Sequence, residues 1–179
     1  MRILLLYASA GGGHKRAAQA MEAYFREHLP GAEVRVEDAL RHVGRAVNAL
    51  CCDGYKFSAK HAPQIFGTLY RSTNRDTKFA ALLPRVNGML ARKLLPLIEE
   101  FRPDVILDTY HFAGQMVSRL KEKGLVSAPL VNVVTDYGPH MAWLAPQVDA
   151  YVVAEDGLRD AFIRMGAPKE KIHTFGIPI

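Results

Sequence analysis

Short runs of branched apolar residues recur along this chain with helical patterns between them, and that alternation leaves few folds open. Residues 3–7 read as the first strand. Residues 33–37, 104–107, 130–134 and 150–153 follow, and 171–174 predict a last short one. After the first strand, Ala17, Met21, Tyr24, Phe25 and His28 return at helical spacing, with Glu22 and Arg26 paired on the opposite face. Pro30-Gly31 closes that helix, and two further helical patterns occupy 112–123 and 155–165. The sequence predicts an α/β, Rossmann-like domain: a mainly parallel sheet with helices on both faces.

Residues 41–100 interrupt the pattern. They contain no strand signal and are much longer than an ordinary crossover, so a helical insertion between strands two and three is expected. Pro84 and Pro96 should break or kink its second half. With 179 residues and no linker composition, the chain is expected to be a single domain.

Charge is unevenly placed. The net charge is +5, yet the stretch from Arg41 to Ile98 holds ten Lys or Arg against Asp53 and Asp76, giving +8 there and −3 elsewhere. An anionic partner fits that segment. Nucleic acid is not expected, because no aromatic-rich strand motif or recognition-helix module accompanies the charge. No apolar run is long enough to span a bilayer, and the one behind Arg2 ends in Gly11–Arg16 rather than in a cleavage site. Cys51 and Cys52 are adjacent and have neither disulfide nor metal-ligand spacing, as in a cytosolic protein.

The junction of the first strand and helix, YASAGGGHKRAAQAM, carries the most chemical information. In open parallel sheets, ligands bind outside the carboxyl ends of the strands. Gly11, Gly12 and Gly13 fall at that edge, before a helix N-terminus whose free amides favour negative charge. Neither common phosphate-binding motif fits. No GxxxxGK[ST] occurs, and the dinucleotide pattern fails at Arg16, although Glu37 and Asp38 stand where a ribose-binding acid would. His14 is foreign to both motifs. An imidazole at this position suits removal of a proton from a hydroxyl.

Other strand ends add polar groups to the same edge. The third runs into DTYH, with Asp108 and His111; the fourth runs into TDYGPHMAW, with Thr135, Asp136, His140 and Trp143. Singly these could be helix caps or solvated loop residues. Together they place three histidines and two aspartates at one edge. No HxH or HExxH spacing supports a metal site, and no cofactor is called for.

The segments YASAGGGHKRAAQAM, FRPDVILDTYHF, VNVVTDYGPHMAW, VDAYVVAE and KIHTFGIPI resemble the monogalactosyldiacylglycerol synthase and diacylglycerol glucosyltransferase family. The resemblance runs from the first strand to the last residue; the insertion matches only in character. It implies the N-terminal, acceptor-side half of a two-domain GT-B glycosyltransferase. His14 would then be the catalytic base and Gly11–Gly13 would line the cleft between domains. Asp108, His111, Thr135, Asp136, His140 and Trp143 would belong to the acceptor side. The implied partners are a lipid acceptor, an anionic membrane surface, and a nucleotide sugar held by a C-terminal donor domain beyond Ile179. The implied location is cytoplasmic and peripheral, on the inner face of the cell membrane. Two other readings remain open at this level: half of a sugar-nucleotide 2-epimerase, and a non-catalytic module binding nucleotide or anionic lipid.

Overall fold

A computed structural model describes residues 1–9, 12–44 and 89–179. Gly11, the two cysteines and the greater part of the basic insertion lie outside the described residues.

Six strands form one sheet: β1 (Arg2–Tyr7), β2 (Glu33–Asp38), β3 (Val105–Asp108), β4 (Leu130–Val133), β5 (Ala150–Val153) and β6 (Ile172–Thr174). Their spatial order is β2-β1-β3-β4-β5-β6, and every adjacent pair is parallel. The parallel sheet expected from the sequence is therefore present, with each strand within about a residue of its predicted position. The order reverses between β1 and β3, so the carboxyl ends of those two strands flank the topological switch point.

Alternation along each strand divides the core between the two faces. Ile3 and Leu5 of β1 join Val105, Leu107, Val131, Val133 and Val152 on one face, where Met21 of α1 (Gly12–His28) packs. Leu4 and Leu6 join Ile106, Leu130, Tyr151 and Val153 on the other. That second face is covered by α2 (Ala39–Val43), α3 (Leu95–Phe101), α4 (His111–Glu122) and α5 (Asp156–Arg164). Helices thus cover both faces, as the near-continuous apolar strands require.

Local chemistry explains the element ends. Asp38, almost wholly buried, caps α2 by accepting from the Leu40 amide, and its other carboxyl oxygen accepts from the Ser9 hydroxyl. A ribose-binding role is thereby displaced: both oxygens are already engaged. The helical stretch is broken near Pro96, as expected, and α3 starts afresh there. Pro96 sits in the first turn, after a 3-10 turn at Arg92–Leu94, where a missing amide hydrogen costs nothing. Among the described residues, no helix is long and apolar enough to cross a membrane.

Candidate functional site

The switch point brings the start of α1 against the ends of β3 and β4. Thr109 follows β3 and is fully buried; its amide donates to the Leu6 carbonyl of β1, and its hydroxyl donates to the His14 carbonyl at 2.9 Å. The His14 backbone is thus clamped to the strand that ends beneath it. The His14 ring is fixed as well. Its Nδ1 lies 2.7 Å from the Thr109 carbonyl oxygen and 2.7 Å from Thr135 Oγ1. A carbonyl cannot donate, so Nδ1 carries the hydrogen. Thr135 donates its own hydroxyl hydrogen to the same carbonyl at 3.1 Å, leaving an oxygen lone pair toward Nδ1. Neutral His14 is therefore held as the Nδ1–H tautomer, with the lone pair on Nε2.

Desolvation lowers the His14 pKa below its ordinary value, opposed by the nearby Asp136 carboxylate and by the bond to Thr109. The shift favours the neutral ring. Once it gains a proton, Asp136 stands close enough to stabilise the imidazolium. Asp136 is itself fixed: the Trp143 indole N–H donates to its Oδ2 at 2.8 Å. A tethered neutral imidazole beside an oriented carboxylate can accept a proton from a hydroxyl.

An aromatic row adjoins this pair. The Tyr110 ring meets His14 edge-on at 4.9 Å, and His111 lies 4.7 Å beyond it. His111 in turn stacks near His140 and meets the Trp143 ring edge-on. Burial pushes the His111 pKa down to about 3, with His140 and His14 adding to the shift.

The sequence-predicted residues divide by exposure. His14, His111, Thr135 and Asp136 are half-buried, and Gly12 and Gly13 are exposed. Asp108, His140 and Trp143 are buried, at 0%, 4% and 0% exposure. These three, expected on the acceptor side, lie below the surface in this structure. His140 turns its Nδ1 to the Ala142 amide, capping the short 3-10 turn Met141–Trp143 that carries the tryptophan inward. The large apolar side chains exposed on this loop are Tyr137 and Met141. Gly12 and Gly13 have no positive φ, and a Cβ added to either would meet nothing within 4 Å. Their backbone does not require glycine; open space lies beside them.

Thr109 is the residue that sequence reasoning passed over. It holds the His14 ring through its backbone carbonyl, which no side-chain pattern announces, and the His14 backbone through its hydroxyl. Its position between Asp108 and the predicted histidine was the only available signal. Among the described residues, no cluster of three His, Cys, Asp or Glu is placed to hold a metal ion.

Comparison with known proteins bears on this arrangement. A family described as "Monogalactosyldiacylglycerol (MGDG) synthase" matches residues 14–179. A processive diacylglycerol beta-glucosyltransferase from Staphylococcus saprophyticus is 28% identical over 179 residues, covering 99% of this chain and 44% of the relative. One of the same description from Bacillus cereus is 28% identical over 181 residues, with 99% and 45% covered. The chain therefore spans somewhat under half the length of the curated relatives it matches. Among solved structures, the lipopolysaccharide outer core galactosyltransferase WaaB superposes with a TM-score of 0.58 at 11% identity, over 97% of this chain and 45% of that one. UDP-N-acetylglucosamine 2-epimerase from Rickettsia bellii gives 0.57 at 12%, over 99% and 45%. At such identities the two structures share the fold, and the likeness reaches no further.

Proposed function

The chain belongs to the monogalactosyldiacylglycerol synthase family, and on that premise we propose that it is the acceptor-binding half of a glycosyltransferase. The reaction moves a sugar from a nucleotide sugar to the hydroxyl of a membrane lipid, diacylglycerol. Residues 1–179 form one acceptor-side domain, and a separate C-terminal domain holds the donor. The observation that carries this reading is the Nδ1 tether of His14, which leaves Nε2 as a neutral base at the sheet's carboxyl edge.

In the mechanism, His14 Nε2 removes the acceptor proton as the lipid oxygen attacks the anomeric carbon, and the nucleotide leaves with the bonding electron pair. Asp136 offsets the positive charge developing on the ring. The open space beside Gly12 and Gly13 admits the sugar or the facing domain, and the α1 amides favour negative charge there. Thr135 and His111 line the acceptor side. Asp108, His140 and Trp143 support it from below.

The acceptor is a lipid, so the protein works at a membrane surface, peripherally, on the cytoplasmic face. The +8 charge between Arg41 and Ile98 supplies the attraction to anionic headgroups, at about 1 kcal/mol for each cation near the surface. Exposed Tyr137 and Met141, on the loop that carries Asp136, face the lipid. The test is an assay of the full-length protein with radiolabelled UDP-sugars and diacylglycerol vesicles. Label entering the lipid fraction is expected. Label remaining on the nucleotide, with its sugar epimerised at C2, would replace this reading with the epimerase one.

A further inference from the structure

One row of residues crosses the sheet just below the site: Leu6 on β1, Asp108 on β3, Asn132 on β4 and Tyr151 on β5 are register neighbours. Asp108 is fully buried; the Tyr110 and Gly114 amides lie near its carboxyl, but neither makes a well-formed hydrogen bond to either oxygen. Asn132 is 1% exposed, and its Oδ1 is likewise without a donor. Its amide nitrogen is committed, donating to the Trp143 carbonyl at 3.0 Å, so Oδ1 must face the other way. That way lies Asp108. A Cβ on Gly114 of α4 would stand 2.8 Å from Asn132 Oδ1 and 2.8 Å from Asp108 Oδ1, so both oxygens converge on that glycine.

Two buried acceptors side by side with no donor between them would be costly. A proton on the carboxyl turns the same pair into a donor and an acceptor. The groups facing Asp108 offer no competing charge: Leu6 from β1, Asn132 from β4, the Tyr151 phenol from β5 and Gly114 from α4. Among the described residues no lysine, arginine or histidine pairs with it.

We propose that Asp108 is a neutral carboxylic acid in the folded protein, donating its proton to Asn132 Oδ1, and that this pair positions the His14 site. The route is continuous. Asp108 fixes Asn132; Asn132 holds the Trp143 carbonyl; the Trp143 indole holds Asp136; and Asp136 sets the charge beside His14. Burial acts in the same direction, raising the carboxyl well above its ordinary range against the weaker pull of the Tyr110 and Gly114 amides. Gly114 belongs to the device: the two oxygens occupy the space that any larger residue would need. The protonation stands on packing alone. Its kinetic consequence rests on the transferase reading above.

Carbon-13 NMR of the full chain, labelled at its aspartate carboxyls, tests the protonation. One carboxyl should keep the shift of the un-ionised acid at pH 7, and that signal should vanish in Asp108→Asn. Aspartates that all titrate in the ordinary carboxylate range would overturn the proposal, and this reading needs no variant to fold. Stability supplies a second measure. The unfolded chain releases the Asp108 proton above its ordinary pKa while the folded chain keeps it, so this group's contribution to stability falls as pH rises. The folding constant of Asp108→Asn relative to the parent should therefore rise about tenfold per pH unit above that value. A pH-independent ratio would contradict it. For positioning, Asp108→Ala should lower the His14 pKa seen by proton NMR and shift the acid limb of the transfer rate, and Asn at 108, still a neutral donor, should restore both. An unmoved His14 pKa in a folded Asp108→Ala protein would overturn the positioning role. Absence of transfer by the parent enzyme would strike the transferase reading and leave the carboxyl result standing.

Discussion

His14 Nδ1 and the carbonyl oxygen of Thr109 lie 2.7 Å apart although 95 residues separate them in the chain. The contact spans the switch point of the sheet, joining the helix that follows β1 to the turn that follows β3. It fixes a tautomer, and through the tautomer it decides which nitrogen carries the lone pair.

Acid should act on this arrangement before it acts on the rest of the fold. His14 and His111 both have lowered pKa values, His111 at about 3. The unfolded chain takes up protons on these rings below about pH 6.5, while the folded chain does not, so stability falls as pH falls from there. For His111 the loss continues to about pH 3. His111→Phe should flatten this part of the stability profile, measured by urea denaturation across pH. A parallel profile would show that the ring is not held neutral.

Replacing Trp143 by Phe keeps a buried aromatic but deletes the donor to Asp136. The smaller ring and the lost bond together should cost roughly 2–4 kcal/mol of stability. Asp136 then wanders from His14, so the His14 pKa should fall further. In the full-length enzyme, turnover should drop about tenfold, equivalent to roughly 1.4 kcal/mol in the barrier. Proton NMR of the histidine ring reads the first effect and a transfer assay the second.

Gly12→Ala and Gly13→Ala should move stability and activity in opposite directions. Neither residue needs glycine's conformational range, and a Cβ meets no atom. Alanine in the first turn of α1 should therefore stabilise the fold by up to about 1 kcal/mol. In the enzyme the added methyl enters the cleft and should reduce turnover. Thermal melts and transfer rates on the same samples give both signs; unchanged rates would mean that nothing approaches these glycines.

Vesicle sedimentation addresses the basic segment. Binding should rise with anionic lipid and fall as salt screens the charge, since the +8 lies within one stretch of chain. Equal binding to neutral and anionic vesicles would remove the electrostatic attraction from the account.

The strands were legible because burial on both faces leaves a short, branched, apolar run for each, with turn residues between. β1 shows this best: Leu4 and Leu6 face one half of the core, Ile3 and Leu5 the other. That His14, Thr135 and Asp136 meet at one edge followed from strand polarity alone. Depth did not follow. Trp143 and His140 look like surface loop residues in sequence, but the 3-10 turn folds inward and a bond from Asn132 to the Trp143 carbonyl holds it there. Asp108 reads as a cleft carboxylate until Gly114 is seen to bring α4 down over it. Pairings of this kind depend on helix placement across the sheet, which periodicity within one segment does not encode.

The central claim is that His14 takes the acceptor proton. Single-turnover transfer of a labelled sugar to diacylglycerol by full-length His14→Ala tests it most directly. The rate should fall by about 10²- to 10⁴-fold, the range for loss of a general base, with folding and donor affinity nearly unchanged. His14→Asn, which can hydrogen-bond but not take up the proton, should do no better. Transfer by a folded His14→Ala enzyme at close to the parent rate would contradict the account and move the base elsewhere.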